Sequence, residues 1–190
     1  MKRIVIVGVG ALGSHLVLSA RNLAAQFVVV DFDRVEQKNV LSQFHTKMGV
    51  GRNKAQALQQ SMQGLFGLRL EAVPHRLTED NARALLDRAD VAVDCVDHAP
   101  TRTLIQRVAA ERGIPCLHGA LAADGAYARV MWDPAFTVDA GGDGVATCED
   151  GEHLPFIALV AAKMAHALAR FLKDGVQESA HVRPDGLTVV

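Results

Sequence analysis

Cysteine is scarce: Cys95, Cys116 and Cys148 are the only three in 190 residues, widely spaced and without a C-x-x-C pair. An odd, scattered set excludes a disulfide framework and a zinc ribbon. No structural zinc is therefore expected, and a reducing cytoplasm is the natural setting. Excess charge is lacking too. With 20 basic and 21 acidic side chains the formal net charge is −1, which offers no overall attraction to nucleic acid or to a membrane surface. No charged-then-apolar leader opens the sequence; a strand-like run begins at once. The longest apolar stretch, Leu154 to Leu172, carries Lys163, His166 and Arg170 along one side. It reads as an amphipathic, core-facing helix rather than a membrane span. Internal repeats and low-complexity tracts are missing as well. Between Arg129 and Lys163 there is no Lys or Arg, yet Asp133, Asp139, Asp143, Glu149, Asp150 and Glu152 fall there. That stretch predicts an acidic flap, either a solvated loop or a cover for a basic, extended partner.

What is present is concentrated at the start. Residues 3–33 read RIVIVGVGALGSHLVLSARNLAAQFVVVDFD: an apolar run, a glycine corner, a helical stretch, and a second apolar run ending in acid. Gly8, Gly10 and Gly13 form G-x-G-x-x-G between strand and helix, the setting in which that string signifies nucleotide binding. The first glycine permits the tight turn, the second lets phosphate approach the backbone, and the third lets helix and strand pack closely. The N-terminus of the helix then presents unpaired N–H groups to anions. Asp31 stands where a carboxylate takes ribose hydroxyls. These features alone fit a nicotinamide dinucleotide as well as ATP.

The rest of the first 118 residues continues the strand–helix rhythm. Residues 33–54 are polar and irregular, an insertion longer than a plain dinucleotide fold needs. Asn53 opens a helix with Ala55, Leu58, Met62 and Leu65 on one face, ended by Gly67. Leu68 to Val73 reads as a strand, Thr78 starts a helix, Val91 to Cys95 is a strand, and Pro115 to His118 can enter the sheet. Between the last two lies a helix built on Leu104, Ile105 and Val108 and stopped by Gly113. The fold expected is α/β: a Rossmann-like, mostly parallel sheet with helices on both faces and a short antiparallel extension after residue 119. One domain accommodates all 190 residues, with a core over 1–118, a strand, flap and closing helix over 119–175, and a tail over 176–190. Ligands belong at the carboxyl ends of the strands, where Asp31, Asp33 and Asp94-Cys95-Val96-Asp97-His98 fall. Asp97 is also placed to cap the following helix. Cys95 and Cys116 read as small core residues.

An ordered set of motifs resembles the ThiF/MoeB/HesA superfamily, the adenylating domains of ubiquitin-like and sulfur-carrier protein activation. The set comprises the glycine corner, Asp31-Phe32-Asp33-x-Val35-Glu36, Asn39 with Gln43, Lys54 after Gly49 and Gly51, and Cys95-x-Asp97 with Arg102 beyond. It runs from about Met1 to Trp132. The resemblance implies ATP and magnesium as cofactors and, as partner, the C-terminal tail of a ubiquitin-like or sulfur-carrier protein. It further implies that Gly8, Gly10, Ala11, Gly13, Asp31, Asp33, Asn39, Gln43, Lys54 and Asp97 surround the nucleotide. Lys54 would contact phosphates and Asp97 would hold magnesium. Attack of a carboxylate on the α-phosphate joins two anions, so positioning and charge neutralisation are the catalysis such a site supplies. A homodimer or heterodimer is implied too. Some relatives carry a thioester or sulfur-relaying cysteine after the core, which makes Cys148 a candidate.

Two departures accompany the resemblance. Family members place an arginine in the Asn-x-x-Arg-Gln run, and that place is Ser42 here; a hydroxyl does not replace a charged, bidentate fork. Many also have a helix before the first strand, whose arginine reaches a partner's ATP, and this sequence opens on the strand. Arg52, or a cation from a partner chain, is a candidate to compensate, while Arg102 either pairs with acid at the site or sits on the helix surface. Three functions stay open: adenylation of a protein tail, a non-catalytic nucleotide-binding subunit paired with a complete partner, and a nicotinamide-dependent oxidoreductase.

Overall fold

The apolar runs of the sequence become adjacent strands because each alternates its side chains between two helical layers. The computed structural model describes residues 1–133, 136–137 and 151–190. Strands β1 (Lys2–Val7), β2 (Ala25–Val30), β3 (Glu71–Val73), β4 (Val91–Asp94) and β5 (Cys116–Leu121) are parallel. Strands β6 (Ala128–Trp132), β7 (Ala180–Arg183) and β8 (Gly186–Val189) extend them antiparallel. The single sheet has the order β3-β2-β1-β4-β5-β6-β7-β8. Ile4, Ile6, Phe27, Val29, Val91 and Val93 face one layer, formed by α1 (Ala11–Ala20), α2 (Lys54–Phe66) and α5 (Leu154–Asp174). Val5, Val7, Val28, Val30 and Ala92 face the other, formed by α3 (Glu79–Leu86) and α4 (Ala99–Arg112). The period of two that divides these sets is that of a strand buried on both faces.

Local signals set the helix ends. The Asn53 side chain accepts the Gln56 N–H at 3.2 Å and α2 stops at Gly67. Thr78 and Asn81 form a reciprocal box at the start of α3. α4 stops at Gly113 and α5 at Gly175.

Four details differ from the sequence reading. β3 covers only Glu71–Val73, because it is an edge strand paired with three residues of β2. The cap of α4 is His98 rather than Asp97. The tail adds to the sheet: β7 and β8 form a hairpin whose Ala180 and Val182 are fully buried in the core. α5 is long and apolar enough to cross a membrane by length and composition, yet its apolar face packs on α1 and the sheet through Ile157, Val160, Ala161, Met164 and Leu168. Lys163, expected on the polar side, is buried and pairs with Glu178. Most of the acidic flap, with Asp139, Asp143, Glu149, Asp150 and Cys148, lies outside the described residues.

Candidate nucleotide site

The carboxyl ends of β2, β1 and β4 lie side by side in that order, and each delivers one part of the site. β1 ends in Gly8, whose φ of +86° only glycine adopts without strain. A Cβ there would also stand 2.9 Å from the Cys95 carbonyl oxygen. Gly13 brings α1 hard against this turn, since a Cβ on it would fall 1.9 Å from the Gly8 oxygen. α1 starts at Ala11 with no side chain capping its N-terminus and no acid in its first turn. Its leading N–H groups and partial positive charge are left for an anion.

Asp31, at the end of β2, is buried. Its Oδ2 accepts the Val9 N–H at 2.8 Å and its Oδ1 accepts the Asp33 N–H at 2.9 Å. Burial raises the Asp31 pKa, offset in part by those two N–H donors and by Lys54. The carboxylate thus braces the glycine turn, a duty the ribose reading did not anticipate. Asp33 is half exposed, with Lys54 Nζ 3.4 Å from its Oδ2. Lys54 is anchored in the first turn of α2 by its N–H to the Asp33 carbonyl at 2.8 Å. Its side chain is 11% exposed, with the ammonium at the Asp31–Asp33 corner.

The polar insertion packs on the other side of the turn. The Gln43 amide lies about 4 Å from where a Gly10 Cβ would be, and its buried Oε1 has no hydrogen-bond partner. Asn39 is less free, because its Oδ1 accepts the Glu36 N–H and completes a reciprocal box around the 3-10 turn Gln37–Leu41. Ser42 is almost wholly buried, and its carbonyl meets His15 Nε2 at 3.1 Å. Ser14 Oγ accepts the Phe44 N–H at 2.9 Å and so ties the insertion to α1.

His45 is a site residue that the sequence gave no periodic or motif signal to find. Its Nε2 donates to the Val9 carbonyl at 2.9 Å, so the Val9 peptide is held from its N–H by Asp31 and from its C=O by His45. A carbonyl only accepts, so the proton resides on Nε2, and Nδ1 is a buried acceptor without a partner. Burial pushes the His45 pKa down to about 4, the Val9 bond opposing and Lys54 and His15 adding to the fall. Since the folded pKa is depressed below the unfolded value of about 6.5, this imidazole costs stability when forced to charge. Acidification from about pH 6.5 through 4 is expected to lower the urea midpoint. His45→Gln is expected to flatten that part of the profile, and superimposable profiles would show that His45 is not buried neutral.

Asp97 follows β4 on an exposed loop, with no hydrogen bond or ion pair to its carboxylate among the described residues. Its loop abuts the turn, Val96 Cγ1 being 3.1 Å from the place of a Gly8 Cβ. Lys54 and Asp97 accordingly flank the glycine turn from its β2 and β4 sides. Arg102 is spent within the protein. Its Nε pairs with Asp94 Oδ2 at 2.9 Å, and its Nη2 donates to the carbonyls of Val96 and Gly119. It holds the residue before Asp97 and does not offer a free phosphate ligand. Arg52 is exposed and hydrogen-bonded to Gln60. It lines, with Arg34, Asn53 and Gln56, a shallow depression of about 380 Å³ that contains none of the glycine-turn residues.

Beside this cleft a buried ionic group crosses β4, β5 and α4. Asp94 is fully buried and accepts from Arg102, from the Val96 N–H at 3.0 Å and from His118 Nδ1 at 2.8 Å. His118 Nε2 lies 3.2 Å from Asp133 Oδ2. Burial works to lower the His118 pKa, but Asp133 and Asp94 outweigh it and the imidazole is pushed up to about 11. Asp133, counted from sequence among the flap acids, is instead turned onto the sheet. Its place is set by the β5–β6 register, which sequence spacing does not show.

The fold is a Rossmann-like α/β sheet whose glycine turn leaves an uncapped helix N-terminus at the carboxyl ends of its central strands. The ThiF family model matches residues 1–183, and the chain belongs to the ThiF family. It is 39% identical over 124 residues to a sulfur carrier protein adenylyltransferase of Thermus thermophilus, covering 62% of this chain and 45% of that protein. It is 37% identical over 123 residues to the SAMP-activating enzyme E1 of Haloferax volcanii, covering 63% and 45%. An adenylyltransferase and sulfurtransferase, UBA4 of Lodderomyces elongisporus, is 30% identical over 183 residues, covering 90% and 40%. The chain thus spans less than half the length of these relatives. Among solved structures, PaaA superposes with TM-score 0.78 at 14% identity and E. coli MccB with 0.77 at 16%, each over the whole chain and 63% and 61% of theirs. These two likenesses establish the fold.

Proposed function

We propose that this chain is a ThiF-type adenylating domain that takes ATP with magnesium and transfers AMP to the C-terminal carboxylate of a sulfur-carrier or ubiquitin-like protein. The observation that carries the reading is the glycine turn with its uncapped helix, flanked by the nearly buried Lys54 and the exposed, unengaged Asp97. The α1 N–H groups and the Lys54 ammonium bind and orient the phosphates. Gln43 Oε1, lacking a partner, accepts from a nucleotide hydroxyl or water, and Asp31 keeps lone pairs for ribose. Asp97 suits magnesium, which is held by one or two carboxylates together with phosphates and water. When bound, that ion neutralises charge on the phosphates. Cytoplasmic location and a homodimeric or heterodimeric assembly belong to the same proposal, with the acidic stretch receiving the partner's tail.

Buried Ser42, in the family's arginine position, favours a second reading, a subunit that binds nucleotide without turning it over. The test is calorimetry on the chain with ATP and magnesium, ATP alone and NAD, followed by pyrophosphate exchange with glycine-ended sulfur-carrier proteins. Magnesium-dependent ATP binding with exchange is the expected result. ATP binding without exchange would select the second reading, and preference for NAD would overturn both.

A further inference from the structure

Among the described residues, one group of metal-donor side chains lies apart from the glycine turn: Cys116, His118 and Asp133, whose ligand atoms are all within 4.8 Å of one another. We propose that Cys116 Sγ, His118 Nε2 and Asp133 Oδ2 bind a divalent transition ion of the zinc class, with a fourth position open to water. This inference does not rest on the nucleotide reading.

The sheet register builds the triangle. Leu117 pairs with Trp132, which sets Cys116 opposite Asp133, and the Asp133 N–H donates to the Cys116 carbonyl at 3.1 Å. His118, two residues along β5, returns to the same face. His118 Nε2 and Asp133 Oδ2 are 3.2 Å apart, close to the tetrahedral edge of about 3.3 Å that metal bonds of about 2.0–2.1 Å produce. Both atoms are buried without a well-directed hydrogen bond, and His118 is wholly inaccessible. That is how a ligand pair looks before its ion is added.

Outer partners already orient both groups. Asp94 accepts from His118 Nδ1 at 2.8 Å, which leaves Nε2 as the coordinating nitrogen, and Gln106 Nε2 donates to Asp133 Oδ1 at 2.8 Å. Phe136 stacks on the imidazole at 4.2 Å and closes one face, while the partly exposed Asp133 leaves a solvent side for entry. One thiolate, one imidazole and one carboxylate make a borderline-soft set. It suits zinc, whereas magnesium and calcium take oxygen. Net charge is unchanged by loading. With Arg102, Asp94 and Asp133 ionised, a divalent ion in place of the imidazolium and thiol protons leaves the buried group neutral, as it is without the ion. The donors come from two strands rather than one short motif, so the sequence expectation of no structural zinc was blind to them.

Cobalt(II) titration of the chelator-treated chain tests the site. One cobalt per chain is expected to give a thiolate-to-cobalt charge-transfer band that zinc abolishes. The band is expected to vanish in Cys116→Ala, whose fold is checked by thermal melting, and to persist in Cys148→Ser. Gln106→Leu is expected to weaken affinity about 10- to 100-fold. If Cys116→Ala does not fold, Asp133→Asn replaces it, with the same loss of tight binding expected. No band at stoichiometric cobalt, a band that survives Cys116→Ala, or one lost with Cys148 would overturn the assignment.

Discussion

Lys54→Ala is expected to weaken ATP binding about 10- to 100-fold, the worth of one charge-assisted hydrogen bond at about 1.5–3 kcal/mol. AMP transfer is expected to fall further, by about 10²–10³, because charge on the phosphates grows in the transition state. Fold stability should hardly change. Among the described residues the Lys54 ammonium is paired with the half-exposed Asp33, at 3.4 Å, and such a pair contributes about 1 kcal/mol or less. Asp97→Ala makes the companion case. Its loss should appear with magnesium present and disappear when ATP is titrated without it, whereas the Lys54 loss should appear in both. Equal affinities for the parent chain and Lys54→Ala would show that the lysine serves α2 and Asp33 alone.

Asp94→Ala is expected to be the most destabilising single change in the cleft region, by about 3–5 kcal/mol. Its carboxylate compensates both Arg102 and His118, which are 11% and 0% exposed, and removing it leaves the buried Arg102 without a carboxylate and His118 with Asp133 alone. For a domain of this length the melting temperature should fall by roughly 6–20 °C. Asp94→Asn keeps an acceptor for the Val96 N–H and should lose less. Calorimetric melting of the three chains decides the matter, and an unmoved midpoint for Asp94→Ala would show that the network carries no weight. The same substitution should loosen the Val96 carbonyl held by Arg102, and with it the loop that carries Asp97.

The sequence made visible what depends on neighbours along the chain. The glycine turn, the Asn53 cap and the stops at Gly67, Gly113 and Gly175 each follow from one or two turns of backbone, and the structure has them at those positions. What it hid depends on distant segments meeting. His45 reaches the Val9 carbonyl across 36 residues, and Asp133 faces His118 only because β6 runs antiparallel to β5 in one register. β7 has four residues with two of them buried, too few for an alternating pattern to stand out. The sequence leaves Arg102 either pairing with acid at the site or lying on the helix surface, and the buried Asp94 decides for the first.

The packing of α5 on α1 bears on how the chain is made. α1 lies at the start of the sequence and the helix that covers its apolar side begins at Leu154. With synthesis at about 5–20 residues per second, the roughly 130 residues between them take about 7–26 s to emerge. During that interval Leu12, Leu16 and Val17 have no α5 to bury them, so the nascent chain is expected to expose this apolar side until α5 leaves the ribosome.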